Sequence, residues 1–127
     1  MIRVHSYESM GTFDGPGLRL VVFLQGCNFR CLYCANPDTI DTKGESTETA
    51  IEQSIHICID TNGSIWNEEV EELLKWTDLV LLDIKEFNNV RHRQLTERSN
   101  EQTIRTAGWL EKNGKPFWLR YVLVPGY

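Results

Sequence analysis

The chain lacks several features that would place it in a common class of protein. No apolar run in its 127 residues approaches the roughly 20 that a membrane-spanning helix needs, so we expect no membrane span. Lysine and arginine number 13 against 18 aspartates and glutamates, and the net charge of −5 argues against nucleic acid as a partner. Residues 1–6 lack the apolar core of a secretory signal peptide. The four cysteines show no secreted disulfide pattern, which favours the cytoplasm.

The overall composition is that of an ordinary globular protein, with 41% hydrophobic and 24% charged residues. A chain of this length is large enough to bury a core, and we predict a single domain over residues 1–127 that is small for a barrel enzyme.

Apolar runs alternate with helical patterns along the chain. The patterns predict strands at 2–8, 18–24, 55–59, 79–82 and 117–124, and helices at 47–53, from 67, at 88–98 and at 101–113. The first strand suits a sheet edge, and the second has the near-continuous apolar run of a parallel strand buried on both faces. Cys58 is predicted to be a small buried residue, and residues 91–93 a solvated helix face. This alternation predicts an α/β fold with a parallel sheet, as in a partial (β/α) barrel with its chemistry on one rim.

Three cysteines follow the strand at 18–24 with a C-x3-C-x2-C spacing: Cys27, Cys31 and Cys34. Thiolates at such short gaps converge on one metal centre, and they suit iron–sulfur clusters, zinc and cuprous copper. A closed zinc site needs four ligands, and no fourth cysteine or histidine lies nearby in the sequence. The three cysteines therefore favour a [4Fe–4S] cluster with one open iron, with a zinc-binding loop as the alternative.

Charged residues lie near the predicted carboxyl ends of later strands. Asp60 and Asp83 are either caps for the following helices or, with Thr61 and the carbonyl of Leu81, oxygen ligands for a cation. Lys85 is expected on the same side of its strand as Asp83. Arg120 lies inside an apolar strand, so it must reach the rim or pair with a carboxylate.

The cysteine loop and several flanking motifs resemble the radical S-adenosylmethionine (SAM) enzymes. The motifs are Ser9–Arg19, Tyr33–Thr39, Asp60–Gly63, Leu82–Lys85 and Leu119–Gly126. Together and in this order they are similar to the activating enzymes of glycyl radical enzymes such as pyruvate formate-lyase. The resemblance implies a radical SAM barrel, incomplete in this chain.

The resemblance also implies a reaction and its components. A [4Fe–4S] cluster on the three cysteines would cleave SAM reductively, and the resulting 5′-deoxyadenosyl radical would take hydrogen from a glycine of the partner enzyme. Electrons would come from a flavodoxin- or ferredoxin-like donor. The implied SAM-binding residues are Tyr33, Cys34, Ala35, Asp60, Asp83, Ile84, Lys85, Glu86 and Arg120. Lys85 is also expected to act in catalysis, a monovalent cation to bind at Asp60, Thr61, Leu81 and Asp83, and Asp14 to lie near the substrate peptide.

One family feature is absent from this sequence. The family carries a Gly-Gly-Glu segment that binds the amino group of SAM, and no Gly-Gly-Glu occurs here. The resemblance also leads us to expect that these 127 residues do not include the family's last strands and a histidine that contacts SAM. We therefore expect weak SAM binding, and the rival hypothesis is a non-catalytic iron–sulfur or zinc-binding remnant that serves as a partner-binding module.

Overall fold

The computed structural model describes residues 2–41, 46–47 and 56–125. The chain divides into two compact units, Met1–Ile55 and His56–Tyr127. The predicted helix at 47–53 falls almost entirely outside the described residues, and so does the start of the strand predicted at 55–59.

The first unit contains a three-stranded sheet in the order β2-β1-β3. The strands are β1 (Ile2–Gly11), β2 (Arg19–Leu24) and β3 (Ser46–Thr47), and a short 3₁₀ helix covers Pro37–Thr39. β1 pairs antiparallel with both of its neighbours. The turn between β1 and β2 contains Gly17 at φ +80°, a backbone conformation that glycine adopts without strain.

Two predictions for this unit are wrong. β1 is the central strand of its sheet, not an edge strand. β2 is not a parallel strand buried on both faces, because it pairs antiparallel with β1 and leaves Leu20 and Leu24 exposed. An apolar run does not reveal whether a strand is a doubly buried parallel strand or an antiparallel hairpin strand. The partner strand decides whether the pairing is parallel or antiparallel.

The second unit contains a three-stranded parallel sheet in the order β4-β5-β6. The strands are β4 (Cys58–Thr61), β5 (Leu79–Ile84) and β6 (Phe117–Tyr121), and the helices are α1 (Glu68–Lys75), α2 (Asn89–Thr96) and α3 (Glu101–Lys112). The predicted alternation of strands and helices around a parallel sheet is confirmed for this unit.

Local signals begin two of the helices as the sequence predicts. The side chain of Asn67 accepts a hydrogen bond from the Val70 N–H, and that of Asn88 accepts from the N–H groups of Val90 and Arg91. Asparagine caps of this kind satisfy N–H groups that the first helical turn leaves open.

The core of the second unit lies on one face of the parallel sheet. Val80 and Leu82 of β5 pack there with Leu74 of α1 and Leu110 of α3. The rings of Trp66 and Trp109 extend this core, with their centroids 5.0 Å apart. Because side chains alternate along a strand, the side chains of Leu81 and Asp83 point to the opposite face.

The turn after β4 is held by α3. Thr103 donates its hydroxyl to the carbonyl of Asn62, and Thr106 donates to that of Gly63. Gly63 has φ +62°, and a Cβ there would lie 2.6 Å from a methyl of Leu82, so both the backbone conformation and the space favour glycine.

Two predictions about individual side chains need correction. Residues 91–93 are not a uniformly solvated face, because His92 is completely buried and its Nδ1 lies 2.8 Å from the Arg98 carbonyl oxygen. Cys58 is half-buried at the first position of β4 rather than a core residue.

Among the described residues, the structure has no helix with the length and apolar character to cross a membrane.

Candidate functional site

The three clustered cysteines follow the end of β2. Gly26, at φ +105°, turns the chain out of the sheet, and Cys27 and Cys31 are half-buried while Cys34 is exposed. The backbone N–H of Cys34 donates to the carbonyl of Cys31 at 3.1 Å, so these two residues sit on one tight turn. None of the four cysteines, all within the described residues, is part of a disulfide.

Two residues inside the cysteine loop hold its shape. Phe29 is 2% exposed and anchors the loop. Arg30 donates from the same guanidinium nitrogen to the carbonyls of Cys27 and Phe29, at 2.8 Å each. These carbonyls are therefore satisfied within the loop.

The loop closes on itself at its base. The Gly26 N–H donates to the Thr39 carbonyl at 2.7 Å, and the Cys27 N–H donates to the Ile40 carbonyl at 3.3 Å. The chain entering the loop thus pairs with the chain leaving it, at the end of the 3₁₀ helix.

The other predicted residues of the first unit lie in or near turns. Tyr33 is half-buried and Ala35 is exposed, both beside Cys34. Asp14 is half-buried in the turn between β1 and β2. Their contacts to SAM and to a substrate peptide stay predictions.

The donor set fits a cluster by its chemistry. Three thiols in one loop, at a spacing that lets them converge, are the ligands that iron–sulfur clusters take. Within residues 2–41, 46–47 and 56–125, however, the structure has no group of three or more histidine, cysteine, aspartate and glutamate side chains already arranged around a metal position. The cluster-ligand assignment therefore stays a prediction.

Four charged residues of the second unit share the sheet face opposite its core. Asp83 pairs in register with Arg120 on the neighbouring strand, and Asp60 is in register with Leu81. Since side chains alternate along strands, Asp60, Asp83 and Arg120 lie on one face, and Lys85 follows on the same side. The structure thus brings together four of the predicted site residues.

Arg120 joins the two aspartates. Its Nε donates to Asp83 Oδ1 at 2.9 Å, and its terminal nitrogen donates to both carboxylate oxygens of Asp60. Burial alone would lower the pKa of Arg120, but the two carboxylates outweigh it and leave that pKa raised. Asp83 also binds Lys85, whose Nζ lies 2.6 Å from Oδ2. The predicted pairing of Arg120 with a carboxylate is present.

The predicted cation ligands are not all directed to one point. The Thr61 side chain belongs to the sheet face opposite Asp60, and its hydroxyl oxygen accepts the Gly63 N–H at 3.0 Å. The carboxylates of Asp60 and Asp83 meet the guanidinium of Arg120 instead, so positive charge is already present between them.

Ile84 and Glu86 differ in how they could contact a ligand. Ile84 is 9% exposed and points to the core face, so the predicted SAM contact would come from its backbone. Glu86 accepts the Asn88 N–H at 2.8 Å and the Tyr121 hydroxyl at 2.9 Å. The Asn88 hydrogen bond is the main reason that the pKa of Glu86 is lowered.

A pocket of about 300 Å³ lies at the carboxyl ends of β5 and β6. Lys85, Glu86 and Tyr121 supply its polar lining, and Leu95 with residues 122–125 supplies apolar lining. Its volume is at the lower end of the range for small-molecule sites. Two predicted SAM-binding residues, Lys85 and Glu86, thus face one cavity.

Sequence reasoning missed Asn100, which supports the strand end beside this pocket. Its buried amide donates to the carbonyls of Glu86 at 2.9 Å and Phe87 at 2.6 Å. An asparagine before a helix normally signals a cap, but the side chain of Asn100 makes no capping bond to α3. Nothing local in the sequence signals its actual partners.

Family models match both parts of the chain. Residues 13–65 match the 4Fe-4S single cluster domain, and residues 41–127 match the radical SAM superfamily. The first match spans the cysteine loop and the second spans the parallel sheet. These matches define the class as a radical SAM iron–sulfur protein, with a [4Fe–4S] cluster and SAM as the implied cofactors.

Curated relatives narrow the class. The chain is 36% identical over 169 positions to the pyruvate formate-lyase 1-activating enzyme of Escherichia coli (strain K12), covering 98% of this chain and 69% of the relative. It is 35% identical over 173 positions to the pyruvate formate-lyase-activating enzyme of Staphylococcus aureus (strain USA300), with the same coverage. The chain therefore belongs to the pyruvate formate-lyase activating enzyme family of the radical SAM superfamily.

The alignment also shows an internal difference. It runs over 169 positions whereas this chain has 127 residues, so at least 42 positions have no counterpart here. This agrees with the expectation that a segment present in the family is absent from this chain.

A solved structure supports the fold. A crystal structure of a domain of pyruvate-formate lyase-activating enzyme from Bacteroides vulgatus ATCC 8482 matches with a TM-score of 0.54 at 24% identity. The match covers 59% of this chain and 47% of that one. The radical SAM type of fold predicted from the sequence is confirmed.

Proposed function

We propose that this chain is an oxidoreductase that activates a glycyl radical enzyme such as pyruvate formate-lyase by generating a radical on one of its glycines. The observation that carries the proposal is the loop of three thiol cysteines that follows β2 in the sequence. The chain that contains it is 36% identical to a pyruvate formate-lyase 1-activating enzyme. The loop supplies three soft ligands and leaves a cubane with one iron open for chemistry.

Cys27, Cys31 and Cys34 would hold the cluster. When bound, the cluster and SAM supply the radical chemistry, with one electron for the reductive cleavage of SAM. The loop itself contributes a fixed backbone: Arg30 donates to the carbonyls of Cys27 and Phe29, and the Gly26 and Cys27 N–H groups close its base. Tyr33 and Ala35, which flank Cys34, would contact the adenine end of SAM.

The charged face of the second unit would bind polar groups of SAM. Lys85 is 18% exposed and donates to Asp83, so it offers an ammonium fixed in direction to a carboxylate or ribose oxygen. Lys85 and Arg120 carry two positive charges against the two negative charges of Asp60 and Asp83, so the charges on this face balance. A monovalent cation at Asp60, Thr61, Leu81 and Asp83 would have to displace the guanidinium of Arg120.

The proposed partners come from the resemblance to the activating enzymes. The substrate would be the glycyl loop of the partner enzyme, near Asp14, and a flavodoxin- or ferredoxin-like protein would supply the electron. We place the protein in the cytoplasm, which keeps clustered thiols reduced.

Anaerobic reconstitution of the full chain tests the proposal. We expect a brown protein with about four irons and four sulfides, which after dithionite reduction cleaves SAM to methionine and 5′-deoxyadenosine. With the partner enzyme or a glycyl-loop peptide, electron paramagnetic resonance should show a glycyl radical.

Two cysteine variants and an analysis of the bound metal distinguish this proposal from the zinc-binding module and the non-catalytic remnant. Cys31→Ala should remove the cluster, whereas Cys58→Ala, a matched loss of one thiol outside the loop, should keep it. Zinc in place of iron would favour the zinc-binding module, and a cluster without SAM cleavage would favour the non-catalytic remnant.

A further inference from the structure

The side chain of Gln25, the last residue before the turn into the cysteine loop, ties the two ends of that loop together. Its Nε2 donates to the carbonyl of Asp38 at 3.1 Å and to the carbonyl of Asp41. Both acceptors lie after the loop, beside the residues whose carbonyls accept the Gly26 and Cys27 N–H groups. One amide therefore bridges the chain entering the loop and the chain leaving it.

The chemistry of these contacts suits a neutral amide. A primary amide has two N–H donors, and Gln25 directs both at main-chain carbonyls. A carboxylate of the same length has no donor and would place negative charge against two carbonyl oxygens. An apolar side chain of similar length would fill the space but leave both carbonyls without this donor.

A second contact supports the base from β1. His5 Nε2 lies 3.0 Å from Asp38 Oδ2. Asp38 is therefore held twice, by Gln25 at its carbonyl and by His5 at its carboxylate. The strand pairing does not depend on the amide, because the Gln25 backbone N–H donates to the Arg3 carbonyl at 2.8 Å. Removing the side-chain amide should leave the hairpin folded.

We propose that Gln25 is a positioning residue for the cluster, which holds the base of the cysteine loop closed before iron is bound. The inference rests on the proposed assignment of Cys27, Cys31 and Cys34 as cluster ligands. Groups that orient the ligands of a metal centre tune its affinity and its electronic properties without touching the metal. The loss of two hydrogen bonds at the loop base should therefore loosen all three ligands together.

Gln25→Glu and Gln25→Met test the inference in the full chain. Gln94→Glu is the matched control, since it makes the same chemical change at an exposed position of α2. After anaerobic reconstitution, iron release to a chelator should be about tenfold faster in both Gln25 variants, because two hydrogen bonds of ordinary strength are lost. The paramagnetic resonance spectrum of the reduced cluster should also change its shape. Gln94→Glu should match the wild type in both measurements.

The outcomes are distinguishable from failure of the proposed function. A wild-type chain that takes up no iron overturns the function and, with it, this inference. A wild-type cluster with unchanged release rate and spectrum in both Gln25 variants overturns the inference alone. Far-ultraviolet circular dichroism of the apoproteins completes the test, since unfolding of both variants would make Gln25 a folding residue and contradict the positioning role.

Discussion

Arg120 on β6 donates its Nε–H to Asp83, the residue in register with it on β5, and reaches past it to Asp60 on β4. One guanidinium thereby connects all three strands of the parallel sheet on the face opposite its core. The Arg120 side chain is 32% exposed and that of Asp83 is 18% exposed, so this pair is partly shielded from solvent.

Arg120→Gln should lower the free energy of unfolding by about 1–2 kcal/mol, because it leaves two neighbouring carboxylates without their shared donor. Urea unfolding at neutral pH measures the effect. Arg105→Gln, at an exposed position of α3, removes the same charge from the same unit and should change stability by less than about 0.5 kcal/mol. Equal losses in the two variants would mean that the bridge across the strands contributes nothing.

The carboxylate of Glu86 should make stability depend on pH in the acidic range. Its pKa is lowered, chiefly by the Asn88 N–H, so the stability it contributes is present above the unfolded-state pKa of about 4.3. That contribution is lost as pH falls through the lower pKa of the folded state. Wild type should exceed Glu86→Gln in stability at neutral pH, and the two curves should converge on acidification. Parallel curves throughout would contradict this account.

Tyr121 should titrate at higher pH than an ordinary tyrosine. Partial burial is the main cause of its raised pKa, and the hydrogen bond to Glu86 adds to it. Stability contributed by the neutral phenol is present below the unfolded-state pKa and lost as pH rises through the folded-state pKa. Carbon-13 resonances of labelled tyrosine follow the titration directly, with Tyr121→Phe for assignment. In Glu86→Gln the pKa should move back toward the ordinary value; an unchanged titration there would remove Glu86 as a cause.

Asp83→Asn should weaken SAM binding about tenfold while the cluster stays in place, because Asp83 directs both Lys85 and Arg120. Equilibrium dialysis of SAM against the reconstituted protein gives the affinity, and iron content reports the cluster. Glu69→Gln, which removes one exposed negative charge from α1, is the control and should bind SAM like the wild type. Unchanged SAM affinity in Asp83→Asn would leave Asp83 with a structural role alone.

Asn100→Ala should cost about 1–3 kcal/mol of unfolding free energy, since it removes the amide that satisfies the carbonyls of Glu86 and Phe87. Asn113→Ala is the comparison, because that amide makes one exposed bond to the Trp109 carbonyl and water can replace it. Thermal unfolding of the two variants measures the difference. A loss no larger in Asn100→Ala than in Asn113→Ala would show that the buried amide does not support the end of β5.

Features that depend on residues close in the chain are predictable from the sequence here. The C-x3-C-x2-C loop, the asparagine caps of α1 and α2 and the bounds of α3 each follow from neighbours within a few positions. The same holds for Lys85, which lies beside Asp83 because two positions along an extended chain return to the same side.

Features that depend on which distant segments meet were decided by the tertiary structure. The direction of β2 depended on its pairing with β1, and the burial of His92 on the packing around α2. Arg120 lies 37 positions from Asp83 and 60 from Asp60, and only the register of β4, β5 and β6 brings them together. By itself the sequence determined the spacing of the three thiols and where the helices begin, because spacing and hydrogen bonds over a few residues encode them. The tertiary structure alone decided which polar groups meet partners far along the chain, because strand pairing and packing set those distances.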